Sequence, residues 1–135
     1  VTRASRDSER TTQLDTVLDV LKDSRRRCIL YVLGEADKSV VSFESVVEGV
    51  REYEASDGMG AEMPPRHSVR TSLAHVHLPK LESENVLERN PRSGEVRFYG
   101  DPLLEEWAER MSQFELDDTY ALWILHVLQN IIQNW

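Results

Sequence analysis

Residues 73–87 read Leu73-Ala74-His75-Val76-His77-Leu78-Pro79-Lys80-Leu81-Glu82-Ser83-Glu84-Asn85-Val86-Leu87, and this stretch decides the fold. Leu73 and Val76, with Val69 before them, recur at helical spacing, and Leu78 and Leu81 follow. Pro79 lies after the first turns of that helix and is expected to end or kink it, because its ring collides with the carbonyl four residues back. The period then switches. Val86 to Arg89 and Glu95 to Tyr99 are β-prone, and Asn90-Pro91-Arg92-Ser93-Gly94 joins them with turn residues at the tip. A helix over about 65–78 that leads into a hairpin over 86–99 is the predicted unit.

Upstream, Pro64-Pro65 suits a helix start, since proline is tolerated in the first turn. Ala55 to Pro65, with two glycines, two methionines and two prolines, reads as a surface loop. Before it, Ser42 is placed to cap a helix built on Val46, Val47, Val50 and Tyr53, and Val40, Val41 and Phe43 form a short β-prone stretch. A helix over about 25–34 carries Ile29, Leu30, Val32 and Leu33, with Ser24 as its expected cap and Gly34 at its end. Leu14, Val17, Leu18 and Leu21 mark a first helix over 13–22. Residues 1–12 lack hydrophobic periodicity and read as a disordered polar tail with no secretory segment.

Downstream, Asp101-Pro102 opens a helix bearing Leu103, Leu104, Trp107, Ala108 and Met111. Ala121, Leu125, Leu128, Ile132 and Trp135 then alternate by four and three, the a/d seam of a helix–helix interface, and Ile124, Val127 and Ile131 widen it. With Trp107, these residues predict a homodimer. His126, Gln129, Asn130 and Gln133 interrupt this run, which is too short and polar for a membrane span. The expected organisation is a tail over 1–12, a winged helix-turn-helix over 13–100 and C-terminal dimerisation helices over 101–135. The fold class is mainly α with a small β wing, because the order helix, helix, short strand, helix, helix, hairpin is that of a winged helix.

The segment His77-Leu78, then Leu81, then Asn85-Val86-Leu87 resembles the recognition-helix-to-wing segment of ArsR-like and MarR-like winged-helix regulators. There a glycine stands where this chain has Asn85; asparagine is the next-best residue for a left-handed backbone. From Leu14 to Leu116 the chain also resembles a haloarchaeal family of winged helix-turn-helix domains. Ser24-Arg25-Arg26-Arg27, Ile29-Leu30-Tyr31-Val32-Leu33, Val69 with Leu73, His77 to Leu81, and Gly94-Glu95-Val96 carry that resemblance. It implies a transcription-regulator-like DNA-binding domain without a known target.

The chain has 135 residues, 16 basic against 24 acidic, and a net charge of −8. Thirteen arginines and only three lysines, Lys22, Lys38 and Lys80, match a protein kept soluble in concentrated salt, a halophilic acidic protein. The charge is segregated: residues 1–30 and 64–100 each carry a surplus of +2, while 31–63 and 101–135 each carry −6. With Val69, Leu73 and Val76 inward, Arg66, His67, Arg70 and Thr71 face outward near the helix start, the end that usually meets base edges. Arg89, Arg92 and Arg97 lie on the hairpin, suited to phosphate or a minor groove. Arg25 and Arg26, with Arg27, sit at a helix start, where the macrodipole disfavours cations and an external anion would offset them.

The leading expectation is therefore a homodimeric, sequence-specific transcription regulator on double-stranded, palindromic promoter or operator DNA. The alternative is a winged-helix protein–protein interaction module without direct DNA binding. No nucleophile–base spacing, phosphate loop or metal cluster is visible, so no enzyme, cofactor or metal is expected. His75 and His77 would point about 200° apart on a helix, and His77 is expected to pack beside the hairpin with its nitrogens hydrogen-bonded. Cys28, the single cysteine, is expected in the core of a cytoplasmic protein. No convergent polar set marks an effector pocket, and the small-molecule effector stays unassigned.

Overall fold

Asp23 separates the first two helices. In the computed structural model, which describes residues 3–36, 38–56, 62–116 and 129–133, α1 runs Arg3–Leu21 and α2 runs Ser24–Glu35. Asp23 is extended, and its carboxylate accepts from the backbone N–H groups of Arg25 and Arg26 at 2.9 and 3.1 Å. That satisfies two donors the first turn leaves orphaned. Ser24, the expected cap, is instead the first residue inside the helix. Residues 3–12, expected as a disordered tail, are the opening turns of α1, exposed from Ser5 through Asp15. Hydrophobic periodicity misses those turns because residues 5–12 are exposed. Val17, Val20 and Leu21 face the core, while Leu14 and Leu18 stay exposed.

Val40–Val41 form β1, and Ser42 accepts from Ser45 N to cap α3, Phe43–Glu54. Its buried Val46, Val47 and Val50 pack in one cluster with Cys28, Ile29 and Leu33 of α2. Gly49 permits the close approach of the two helices: a Cβ built there would lie 2.5 Å from Val32 Cγ2. α4, Arg66–Ser72, continues through a π-helical turn, Leu73–His77, into α5, Leu78–Ser83. Within that turn Leu78 N donates to Leu73 O, five residues back. Pro79 thus falls in the first turn of α5, where its missing N–H is no loss, and the helix passes through it. The extra residue in the turn advances the phase by about 100°. Val76, expected inward, is 56% exposed, and His77 is buried in its stead.

Asn85 leaves α5 with φ 59°, the left-handed backbone anticipated for it, and releases the chain into β2, Leu87–Arg89, and β3, Val96–Phe98. At the tip, Asn90 Oδ1 accepts from Arg92 N and Ser93 N, and Gly94 takes φ 74°. The sheet order is β1-β3-β2, antiparallel throughout, with Val41 opposite Val96 and Arg89 opposite Val96 on the other side. Asp101 then caps α6, Pro102–Glu115, by accepting from Leu103 N. The architecture is mainly helical with a small three-stranded antiparallel sheet.

The expected boundary at residue 100 does not detach α6. Leu104 and Ala108 are buried in the same core cluster as α1 and α2, and Leu116 joins them. α6 therefore closes the domain rather than standing apart from it. Trp107 is 36% exposed, with Arg110 stacked 5.2 Å from its ring centroid. Ala121, Leu125, Leu128 and Trp135, four of the expected seam positions, lie outside the described residues, as do Ile124 and Val127. Ile132, on the helical stretch 129–133, is 72% exposed.

Candidate nucleic-acid interface

Phe43 is the hub of the candidate surface. It is the first residue of α3, directly after the Ser42 cap, and its ring is buried. Arg70 from α4 stands over that ring at 5.5 Å from the centroid, and Arg89 from β2 at 4.1 Å. Each contact is a cation–π stack. Together they tie the exposed side of α4 and the hairpin to one anchor. Arg66, His67, Arg70 and Thr71 are all exposed on α4, as expected. Arg92 is exposed at the hairpin tip. The sequence reading missed Phe43 because it counted the ring only as β-prone. An aromatic immediately after a helix cap, with arginines on two later elements, is the signal that could have marked it.

Two carboxylates of α3 also enter the surface. Glu44 pairs with Arg70, and Glu48 pairs with Arg66 at 2.7 Å. They sit four residues apart and so share one helix face. Glu48 is held from its other side by Arg51 Nη1 at 3.0 Å, and Arg51 Nε donates to Pro64 O at 2.9 Å, just ahead of α4. Arg97 does not join the set. It lies opposite Val40 on one side and Glu88 on the other, whereas Arg89 shares its face with buried Val96. The strand alternation that buries Val96 turns Arg97 to the opposite face of the sheet.

Arg25, Arg26 and Arg27 are structural rather than phosphate-facing. Successive residues on a helix diverge by about 100°, so the three guanidinium groups reach three different elements. Arg25 forms a two-pronged pair with Glu54 of α3, at 2.6 and 2.8 Å. Arg26 is buried, and donates to the carbonyls of Asp19 and Val20 at 2.7 and 3.0 Å, closing the C-terminus of α1. Arg27 pairs with Glu115 of α6 and donates to Leu21 O. Tyr31 also donates to Glu115, at 2.9 Å. The cost of cations at a helix start is met by internal acceptors: Arg25 and Arg26, expected as DNA contacts, are held by Glu54 and by the carbonyls of α1.

His77 differs from expectation in its bonding. It is buried, and among the described residues its Nδ1 has no hydrogen-bond partner; Asp23 Oδ1 stands 3.8 Å away. Burial holds its pKa below the usual histidine value, against the pull of the Asp23 carboxylate and with the help of Arg26 and Arg25. Cys28 is fully buried, and desolvation with Glu54 and Glu115 nearby pushes its thiol up to about 12. A thiol held protonated in this way is a packing group rather than a nucleophile.

A cavity of about 410 Å³ opens between α2, α3 and α6, with Leu30, Tyr31, Tyr53, Phe98 and Leu104 among its walls and Glu35, Glu105 and Glu109 among its polar lining. Tyr53 donates to Glu35, whose carboxyl is raised by burial and by Glu52. Among the described residues no group of side chains is arranged to hold a metal ion, and no helix is long and apolar enough to cross a membrane.

The chain belongs to the family described as Domain of unknown function (DUF7344), whose model matches residues 18–97. That span runs from the end of α1 to β3 and leaves α6 outside. No curated protein and no solved structure matches the chain.

Proposed function

We propose that this member of the DUF7344 family is a winged helix-turn-helix DNA-binding domain, a sequence-specific transcription regulator that acts as a cytoplasmic homodimer. In this reading α4 enters the major groove and the β2–β3 hairpin lies on flanking DNA. One observation carries it: Arg70 and Arg89 stack on the same buried Phe43 ring. A base-reading helix and a backbone-reading hairpin are thereby presented by one anchor. Arg66, His67, Arg70 and Thr71 can donate to base edges, and a bidentate arginine–guanine contact discriminates by about 1–3 kcal/mol. Arg89 and Arg92 suit phosphate. The arginine-for-lysine balance and excess of carboxylates fit the haloarchaeal setting that the sequence resemblance implies. The exposed apolar residues Trp107, Phe114, Ile131 and Ile132 supply surface for a two-fold partner.

Selection from a random duplex pool, followed by anisotropy titration, tests this. Palindromic sites with half-sites about one helical turn apart are expected, and Arg70→Ala should abolish their preference while leaving the mass in solution that of a dimer. Equal binding of the selected site by Arg70→Ala would show that α4 does not read it. The second reading, an interaction module with no DNA role, draws on Phe114, 83% exposed, and on the α3 carboxylates that occupy Arg66 and Arg70. It predicts no salt-dependent retention of any duplex.

A further inference from the structure

The α3 carboxylates bear on how the proposed surface would choose its DNA. A carboxylate and a phosphate present similar paired oxygens to a guanidinium group. Arg70 and Arg66 already hold such partners in Glu44 and Glu48. We infer that Glu44 is an internal competitor for the DNA contact of Arg70, raising selectivity by penalising sequences that offer only phosphate. This rests on the DNA-binding proposal above.

The chemistry is an exchange. For Arg70 to reach DNA, its bond to Glu44 must open, while its stack on Phe43 can persist as a pivot. A phosphate replaces one oxyanion by another, so non-specific DNA gains little from this arginine. A guanine edge offers two acceptors in the fork geometry of the guanidinium at a position fixed by the sequence, so only matching sites compensate for the lost Glu44 pair. Once Arg70 has moved, Glu44 is left with no other cation among the described residues and faces the approaching phosphates. Glu48 differs, because Arg51 remains beside it when Arg66 leaves. The two carboxylates are therefore unequal, and Glu44 carries the larger penalty.

The test measures affinity for a fluorescein-labelled duplex of random sequence at low salt, using the full chain and the variants Glu44→Gln, Glu48→Gln and Glu95→Gln. Glu95 lies on the hairpin, exposed and with no arginine partner among the described residues, so its variant makes the same charge change without releasing a guanidinium. An exposed ion pair is worth up to about 1 kcal/mol, so opening it accounts for roughly fivefold in affinity. Glu44→Gln is expected to bind about fivefold more tightly than the parent, and Glu48→Gln and Glu95→Gln by about twofold or less. Unchanged urea midpoints confirm that the variants are folded. If the parent binds and Glu44→Gln gains no more than Glu95→Gln, competition is overturned and the DNA reading stands. If neither the parent nor any variant binds the duplex, the DNA reading fails and takes this inference with it.

Discussion

Replacing Arg26 by methionine separates its structural role from any contact with DNA. Methionine keeps most of the aliphatic stem and removes the guanidinium. Two charge-assisted hydrogen bonds disappear, those to Asp19 O and Val20 O. Each is worth about 1.5 kcal/mol at the low end of the range for charged donors, and some cost recurs because the carbonyls at the end of α1 lose a partner. Relaxation and water entry return part of it, which leaves an expected loss of about 2–4 kcal/mol. A small domain loses about 1–3 kcal/mol of stability per molar urea, so the midpoint should fall by about 1–2 M with an unchanged slope. Circular dichroism under urea, in the same salt as the parent, reads this directly. Arg92→Ala, exposed at the hairpin tip, is the control and should stay within about 0.5 kcal/mol. An unmoved Arg26→Met midpoint, together with weakened DNA binding, would refute the structural assignment and return Arg26 to the interface.

Gly49→Ala should destabilise by about 1–2 kcal/mol despite alanine's helix propensity, because the new methyl meets the stiff, branched Val32 side chain; Val32→Ala should rescue it in a thermal melt. His77 titrates below its ordinary value, so the unfolded chain takes up a proton that the folded chain refuses. Stability is then present above the unfolded histidine value of about 6.5 and is lost as pH falls below it, by at most about 1.4 kcal/mol per pH unit. His77→Gln should flatten melting temperature between pH 7 and 5, and a parent that gains stability on acidification over that window would contradict the burial. Asn85→Gly should be tolerated, whereas Asn85→Val should cost about 1–2 kcal/mol, because a branched side chain resists φ 59°; equal urea midpoints for the two would place the strain elsewhere.

Most of the elements were legible because their signals are local. Ser42 and Asp101 are side-chain caps, Asn90 to Gly94 is turn chemistry, and Asn85 suits only a narrow range of backbones. The π turn was not legible. A five-residue step differs from a four-residue one by a single hydrogen-bond choice, and the proline that would have ended the helix was accommodated by it. The phase within that turn therefore shifted, and Val76 and His77 exchanged places, while Leu78 and Leu81 beyond it are buried as expected. The α4 residues Arg66, His67, Arg70 and Thr71 were placed correctly as exposed, since they precede that shift. Arg25 and Arg26 were misread because a cation run at a helix start reports charge and not direction, and Glu54 and the carbonyls of α1 are distant or invisible in composition. Arg97 lies on the hairpin as expected, and only the sheet register shows that it is on the opposite face from Arg89. The inward side of α6 was underestimated because Leu104 and Ala108 look no different in sequence from an interface stripe.

The three arginines opening α2 also impose an order on assembly. Their partners lie at very different distances along the chain: seven residues for Arg26 to Asp19, 29 for Arg25 to Glu54 and 88 for Arg27 to Glu115. Closing the longest of these loops costs about 2 kcal/mol more chain entropy than the shortest. The clasp on α1 forms cheaply, within a local helical hairpin, and the clasp on α6 comes last. Removing Arg26 should then slow refolding, whereas removing Arg27 should leave refolding nearly unchanged and hasten unfolding. One helical turn would thus hold both an early and a late step of the folding reaction, two residues of the same type and one position apart.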